Sequence, residues 1–480
     1  MSRTEPATPD TSLEPLTVDE RSFPNPKLRN ALLIAYKAFA DLAGKGSLFV
    51  ILIVAARRLT PQAFGIFSLG STLGWMLAVA TDFGIQLHLA RAVARAPDAA
   101  DQLLAVWLRV RLWTTAIAVA LVALGLVGIG ASATFAVPIV VLALVYACGG
   151  LIEFLHYYYR GLSRSDLESS LTLWQRGATL VFGVAALAWR PDASVLAIAM
   201  LIPVAATLAV SLRIATGLAR SAGHLRQGSG GPPKLYAKAV GPASSFRREV
   251  WPIGAGILLS ALYFRIDVFL VQFWSGTEAV ALYNAVFRLV EALRLFPAAV
   301  LAVTLPALCR ARDLRLLARV SWPLAAFATV AAAVLWATAD WTIPLLYGES
   351  YRAAVPAFRI LLLSFPLLSL NNALTLQLVG WYRQRAYAAL CGVALVANVT
   401  MNARLIPARS IEGAALATLG TELVLTIGCV FALATTRPGI ASSTEIHENT
   451  KTRKQSVFLF RDFVGSWFRG QDVRGNGVTR

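Results

Sequence analysis

The sequence predicts an all-α polytopic membrane protein, with about twelve transmembrane helices arranged as two six-helix bundles. Three observations lead there. The 480 residues are 57% hydrophobic and only 15% charged, with a mean hydropathy of +0.62, whereas soluble domains carry roughly a quarter charged residues. The apolar residues come in blocks of about 20 or more, long enough to cross roughly 30 Å of hydrocarbon. The basic residues sit mostly in alternate connections between those blocks, the pattern that orients helices in a bilayer.

In chain order, residues 1–30 are polar and carry Pro6, Pro9, Pro15, Pro24 and Pro26, which reads as a disordered cytoplasmic tail. Spans are predicted at 31–56, 63–88, 103–128, 132–157, 166–189 and 193–215. A basic, Gly/Pro/Ser-rich break follows at 216–249, including RQGSGGPPK, and reads as a linker on the cytoplasmic side. A second set follows at 250–274, 280–306, 316–339, 354–378, 384–403 and 410–434. The bundles are therefore 31–215 and 250–435, and 436–480 is a cytoplasmic tail. In that tail Phe460, Phe463, Val464, Trp467 and Phe468 share one helical face, which suits a helix lying in the interface.

With the N-terminus inside, the inner connections hold Arg91, Arg95, Arg160, Arg164, the basic run from Arg213 to Arg248, Arg310 to Arg319, Arg383 and Arg385, about 17 cations. The outer ones hold Arg57, Arg58, Arg190, Arg352, Arg404 and Arg409, about 6. Both termini are thus expected in the cytoplasm. An even number of spans per half makes the halves parallel repeats. Thr60-Pro61-Gln62-Ala63-Phe64 and Gly276-Thr277-Glu278-Ala279-Val280 begin the second span of each half at a constant offset of 216, from 60 to 276.

Several function classes are disfavoured. Net charge is +18, but its place in alternate loops explains it by topology, so no nucleic-acid partner is expected. Cys148, Cys309, Cys391 and Cys429 are scattered through apolar runs and read as buried thiols. The histidines, His88, His156, His224 and His447, show no ligand spacing, so no metal site and no cofactor are expected. No P-loop, nucleophile elbow or HExxH occurs, and no catalytic residue is assigned.

The chemistry concentrates in 249–306. Arg265 and Asp267 interrupt one apolar run, and Arg288, Glu291 and Arg294 the next. A charge at the centre of a membrane helix costs roughly 2.5–3.5 kcal/mol even on lenient insertion scales, so several together imply a polar cavity between helices. Arg265 and Asp267 are two apart and cannot face each other, so each requires a partner from another helix. Arg288 and Glu291 are three apart and can pair, as can Glu291 and Arg294; a guanidinium in a wet cavity suits a diphosphate through its bidentate fork. Asp267 can hold a cation together with Asn398 or Asn402. Lys37, Asp41 and Lys45 line one face of the first span, and Lys37 and Asp41 join the substrate-binding candidates. A salt-bridged structural network is the plainer alternative for all of these groups. Asp82 with Arg91 and Arg95, and Arg109 with Arg111, read as charge clusters at the headgroup level, and Tyr157, Tyr158 and Tyr159 as an aromatic belt.

Three segments carry a family resemblance. They are Ala56-Arg57-Arg58-Leu59-Thr60-Pro61-Gln62-Ala63-Phe64-Gly65 with Asp82-Phe83-Gly84; Ile266-Asp267 through Leu282-Tyr283-Asn284 and Arg288-Leu289; and Leu346-Tyr347-Gly348-Glu349-Ser350-Tyr351 with Leu405-Ile406-Pro407 and Glu412-Gly413-Ala414. In order and spacing they resemble the Wzx-type O-antigen and exopolysaccharide flippases of the multidrug/oligosaccharidyl-lipid/polysaccharide exporter superfamily. The resemblance implies two six-helix bundles in a V, as in MATE transporters, in the bacterial inner membrane. It implies an undecaprenyl-diphosphate-linked oligosaccharide as substrate, a proton or sodium ion as coupling partner, contact with membrane lipid, and work alongside polysaccharide assembly proteins. Arg288-Leu289-Val290-Glu291 also looks like a motif of lipid II flippases whose Arg lines the cavity, although those usually carry more spans. Two alternatives stand beside it: a cation-coupled multidrug exporter of the same fold, and a membrane-embedded polymerase or ligase.

Overall fold

Apolar, Leu/Ala/Val-rich runs with no aqueous partner for their backbone close every hydrogen bond within the helix, and the described chain is helical almost throughout. The computed structural model describes residues 26–227, 243–310, 314–381 and 383–435. The first half comprises α1 (Pro26–Arg58), α2 (Pro61–Asp82), α3 (Ile85–Arg95), α4 (Ala100–Gly128), α5 (Ala133–Gly161), α6 (Ser165–Trp189) and α7 (Ala193–Gln227). The second comprises α8 (Ala243–Leu293), α9 (Leu295–Arg310), α10 (Leu314–Ala337), α11 (Ala339–Tyr347), α12 (Val355–Gly380) and α13 (Gln384–Thr435). Residues Glu349–Ala354 between α11 and α12 form a 3-10 turn.

Among the described residues nine helical stretches are long and apolar enough to cross a membrane. Two of them are not straight rods. α8 breaks at Gly276, with φ 81°, and α13 at Ser410, with φ 48°. Contacts such as Arg265 to Asn284 and Asn398 to Thr421 join residues on either side of each break, so both helices fold back as antiparallel hairpins. Counting two crossings for each, and adding α1, gives the twelve crossings expected from the sequence. The protein is a multi-pass membrane protein.

Local sequence explains the breaks. Thr60 caps α2 by accepting the Ala63 N–H at 3.2 Å, and Pro61 occupies the first helical position, where its missing N–H costs nothing. The expected span 63–88 is split: Phe83 and Gly84 both have positive φ, and the Asp82 carboxylate accepts the N–H groups of Gly84 and Gln86, each at 3.1 Å, to start α3. The expected span 280–306 is also split, at Arg294 between α8 and α9, but without a positive φ there. The stretch 216–249 is helical at 216–227 and 243–249, so the connection is shorter than predicted, and 228–242 lie outside the described residues. The helix of α1 begins at Pro26, inside the stretch read as a tail. The interfacial helix expected near 460–468 lies outside the described residues.

The halves share one core at the end of the bundle that carries the α1–α2 turn, the Gly276 turn and α11. There Phe64, Phe67, Val280, Tyr283, Tyr347, Tyr351 and Phe358 belong to a single buried cluster. Toward the other end the cores separate. One, around Leu89, Leu103, Phe154 and Tyr158, lies wholly in the first half; the other, around Leu301, Leu374 and Leu425, lies wholly in the second. The shared end is tightly closed. A Cβ built on Gly65 would stand 2.0 Å from the Thr277 carbonyl oxygen, so only glycine allows α2 this close to α8. The Phe64 ring meets Tyr351 edge-on at 5.9 Å, and the Arg57 guanidinium donates to the carbonyls of Leu345 and Leu346 at the end of α11. The two turns matched by sequence at an offset of 216 thus meet each other.

Candidate functional site

The interior of α8 carries the densest buried charge. Arg265 is 2% exposed and Asp267 1%. Two residues apart on one arm, they point to different partners. Arg265 donates to Glu291 Oε2 at 2.5 Å and to Asn284 Oδ1 at 3.4 Å, and its guanidinium lies 4.7 Å from the centre of the Phe287 ring. Arg288 donates to the same Glu291 oxygen at 2.9 Å. One carboxylate therefore serves two guanidinium groups from opposite arms of the hairpin, which leaves the trio with a net positive charge. The Glu291 and Arg288 side chains are 34% and 24% exposed, so they face open space rather than the packed core. Across that space Tyr146 on α5 lies within electrostatic reach of both Arg288 and Arg176 on α6. Arg288 Nε is buried with no acceptor. A buried unpaired donor costs about 1–3 kcal/mol, which an acceptor arriving from solution would recover.

Asp267 belongs to a second constellation. Its Oδ1 accepts the Val268 N–H at 2.9 Å, and its Oδ2 accepts the Tyr283 hydroxyl. That hydroxyl also lies 3.2 Å from Thr418 Oγ1 on the second arm of α13. Asn398 donates to Thr421 Oγ1 at 3.2 Å, and Asn402 donates to Asn398 Oδ1 at 2.8 Å. Asn402 Oδ1 is buried without a donor. Asp267 and the asparagine pair are thus linked at second hand, through Thr418 and Thr421, one helical turn apart, and not by a direct bond.

Several expectations are corrected. Arg294 does not bond Glu291; it donates to Asn372 Oδ1 at 3.0 Å and stacks 4.6 Å over Phe264. Arg111 is not an interface anchor. It is fully buried, 4.0 Å from Asp82 and 3.3 Å from the Gly150 carbonyl, and braces the α2–α3 break. Tyr158 and Tyr159 are core residues and no belt; Tyr159 donates to the Ser211 carbonyl at 2.6 Å. The side chains of Lys37 and Asp41 lie outside the described residues, and Lys45 is exposed. Sequence reasoning passed over Arg176, which packs against Gly44, and Glu422, which is 2% exposed within α13. Each is a lone charge in an apolar run, a signal that was present in the sequence.

The model of the polysaccharide biosynthesis protein family matches residues 33–312, more than half of the chain. The chain belongs to the polysaccharide biosynthesis protein family. No curated protein sequence matches it closely enough to count as a relative. Solved structures share its fold. An inward-facing multidrug resistance MATE family transporter of the MOP superfamily superposes with a TM-score of 0.62 at 15% identity, covering 83% of this chain and 96% of that one. The lipid II flippase MurJ, in an inward closed conformation, gives 0.60 at 11% identity, covering 93% and 94%. The eukaryotic MATE transporter AtDTX14 gives 0.57 at 14% identity, covering 86% and 97%. At these identities the likeness establishes the architecture, two six-helix halves of the transporter type.

Proposed function

We propose that this protein turns undecaprenyl-diphosphate-linked oligosaccharide from the inner to the outer leaflet of the bacterial inner membrane, by alternating access and at the expense of an ion gradient. The observation that carries this reading is the Arg265–Glu291–Arg288 trio, which is net positive and open to the space between the halves on its Arg288 side. Guanidinium groups bind phosphate oxygens in a bidentate fork, and in a low-dielectric interior that attraction is strengthened. A drug cation would be repelled by the same charge. The sugar lies in the space between the halves and the prenyl chain in lipid. Arg288 holds the diphosphate; Arg265 and Glu291 set its position. Lys37 and Asp41, on α1, join the cargo-binding residues in this reading on the strength of the sequence.

Asp267 is the coupling-ion residue in this scheme, with Asn398 and Asn402 supplying amide oxygens. The exposed phase of the cycle opens away from the shared core, toward the cytoplasm, where both termini lie. Polysaccharide assembly proteins consume the cargo on the far side. The chain performs no chemistry on it.

The test is Arg288→Ala in the native host. Polymer export is expected to cease while the protein stays in the membrane at wild-type level. Normal export by that variant would remove the trio from the mechanism.

A further inference from the structure

The second half holds one more buried charge that the scheme above leaves idle. Glu422, on the second arm of α13, is 2% exposed. Among the described residues no guanidinium or ammonium group bonds it. Its carboxylate accepts one side-chain hydrogen bond, from Asn371 Nδ2 on α12 at 2.7 Å, and the same amide reaches the Glu422 carbonyl at 2.9 Å. The other end of the Asn371 amide is fixed by the Thr426 hydroxyl at 2.8 Å. The groups facing the carboxyl are few. Tyr263 and Arg294 come from α8 and its break, and Cys391 and Cys429 from α13 itself.

The neighbouring residue on α12 makes the connection to the cargo site. Asn372 accepts Arg294 at 3.0 Å, and Arg294 is the residue at which α8 gives way to α9. Arg294 also lies in the electrostatic field of Glu291. Two carboxylates, one in the cargo trio and one in the bundle interior, therefore share the field of a single guanidinium held at a helix break.

We propose that Glu422 is a proton-binding site that compensates the charge of the cargo. This rests on the diphosphate reading of the Arg265–Glu291–Arg288 trio. A buried carboxylate with an amide for its only side-chain partner is costly as an anion. A diphosphate entering the trio adds negative charge to the same bundle and competes for Arg294. Both effects favour the neutral carboxyl, so one proton moves from solution onto a Glu422 oxygen as the cargo binds, and returns to solution as the cargo leaves. By linkage the neutral carboxyl in turn tightens cargo binding by the same factor.

The experiment uses the purified full chain in detergent, with farnesyl diphosphate as the probe. Wild type is expected to take up about one proton more per probe bound than Glu422→Gln does, read with an indicator dye in weak buffer. Comparing the two proteins cancels the probe's own titration. Probe affinity in wild type is expected to rise at least about fivefold from mildly alkaline to mildly acid conditions, and less in Glu422→Gln. Should Glu422→Gln fail to fold, Asn371→Leu, which removes the one side-chain donor to the carboxylate and so favours its neutral form before the probe arrives, is expected to lower the uptake in the same direction. Equal uptake and equal pH profiles in wild type and variant would overturn the proposal and leave the diphosphate reading standing. Failure of the wild type to bind the probe at all would overturn both.

Discussion

Gly65→Ala isolates the closed end of the bundle. Elsewhere in a helix interior this change stabilises by roughly 1 kcal/mol, because alanine is the better helix former. Here the new methyl would stand 2.0 Å from the Thr277 oxygen, 2.7 Å from its Cγ2 and 2.9 Å from its carbonyl carbon. Ordinary carbon contacts begin more than 3 Å apart. The oxygen is backbone, just past the Gly276 turn, and cannot swing aside as the tip of a long side chain does. Either α2 and α8 part by about an ångström, or the closed state carries the strain, typically about 1–3 kcal/mol for overpacking. Opening that end relieves the strain entirely, so the balance between closed and open shifts by about 5- to 150-fold toward open. The assay is labelling of a single cysteine at Ser68, a buried position one turn from Gly65, by an impermeant maleimide in whole cells. Labelling is expected to rise with Gly65→Ala, with no loss of folded protein. Unchanged labelling, or a gain in thermal stability of the closed form, would refute the contact as the barrier between the two states.

Two further outcomes follow from the same contacts. Glu291→Ala leaves two guanidinium groups facing each other, one of them buried; it is expected to cost about 2–4 kcal/mol, seen as a lower melting temperature in detergent, and Arg265→Met added to it is expected to restore much of the loss. Cysteines placed at Ser275 and Ser221 are expected to label only from outside and only from inside respectively; the reverse pattern would invert the proposed orientation.

Periodicity and charge placement were enough to read the twelve crossings, because a bilayer forbids alternatives and apolar length is a local property. The turns at Gly276 and Ser410 were legible for the same reason, as polar interruptions between apolar runs. The partners of the buried charges were not. Arg265 meets Glu291 and Asp267 meets Tyr283 across a hairpin, at separations of 26 and 16 residues, where helical spacing rules are silent. Arg111 looked like a headgroup anchor because it stands near the start of an apolar run; the α2–α3 break, which draws it inward, depends on Phe83 and Gly84 adopting positive φ. The sequence Leu346-Tyr347-Gly348-Glu349-Ser350-Tyr351 was visible as a motif, but its place under Phe64 and Arg57 is a long-range contact between halves.

The central claim, that a guanidinium-lined space between two six-helix halves carries a lipid diphosphate across the membrane, is tested most directly in proteoliposomes. A fluorescent undecaprenyl-diphosphate-linked oligosaccharide would be placed in one leaflet and its arrival in the other followed by quenching. Wild type is expected to transfer it, and Arg288→Ala, inserted to the same density, to leave it where it began. Equal transfer by both proteins, or none above empty vesicles by the wild type, would contradict the account.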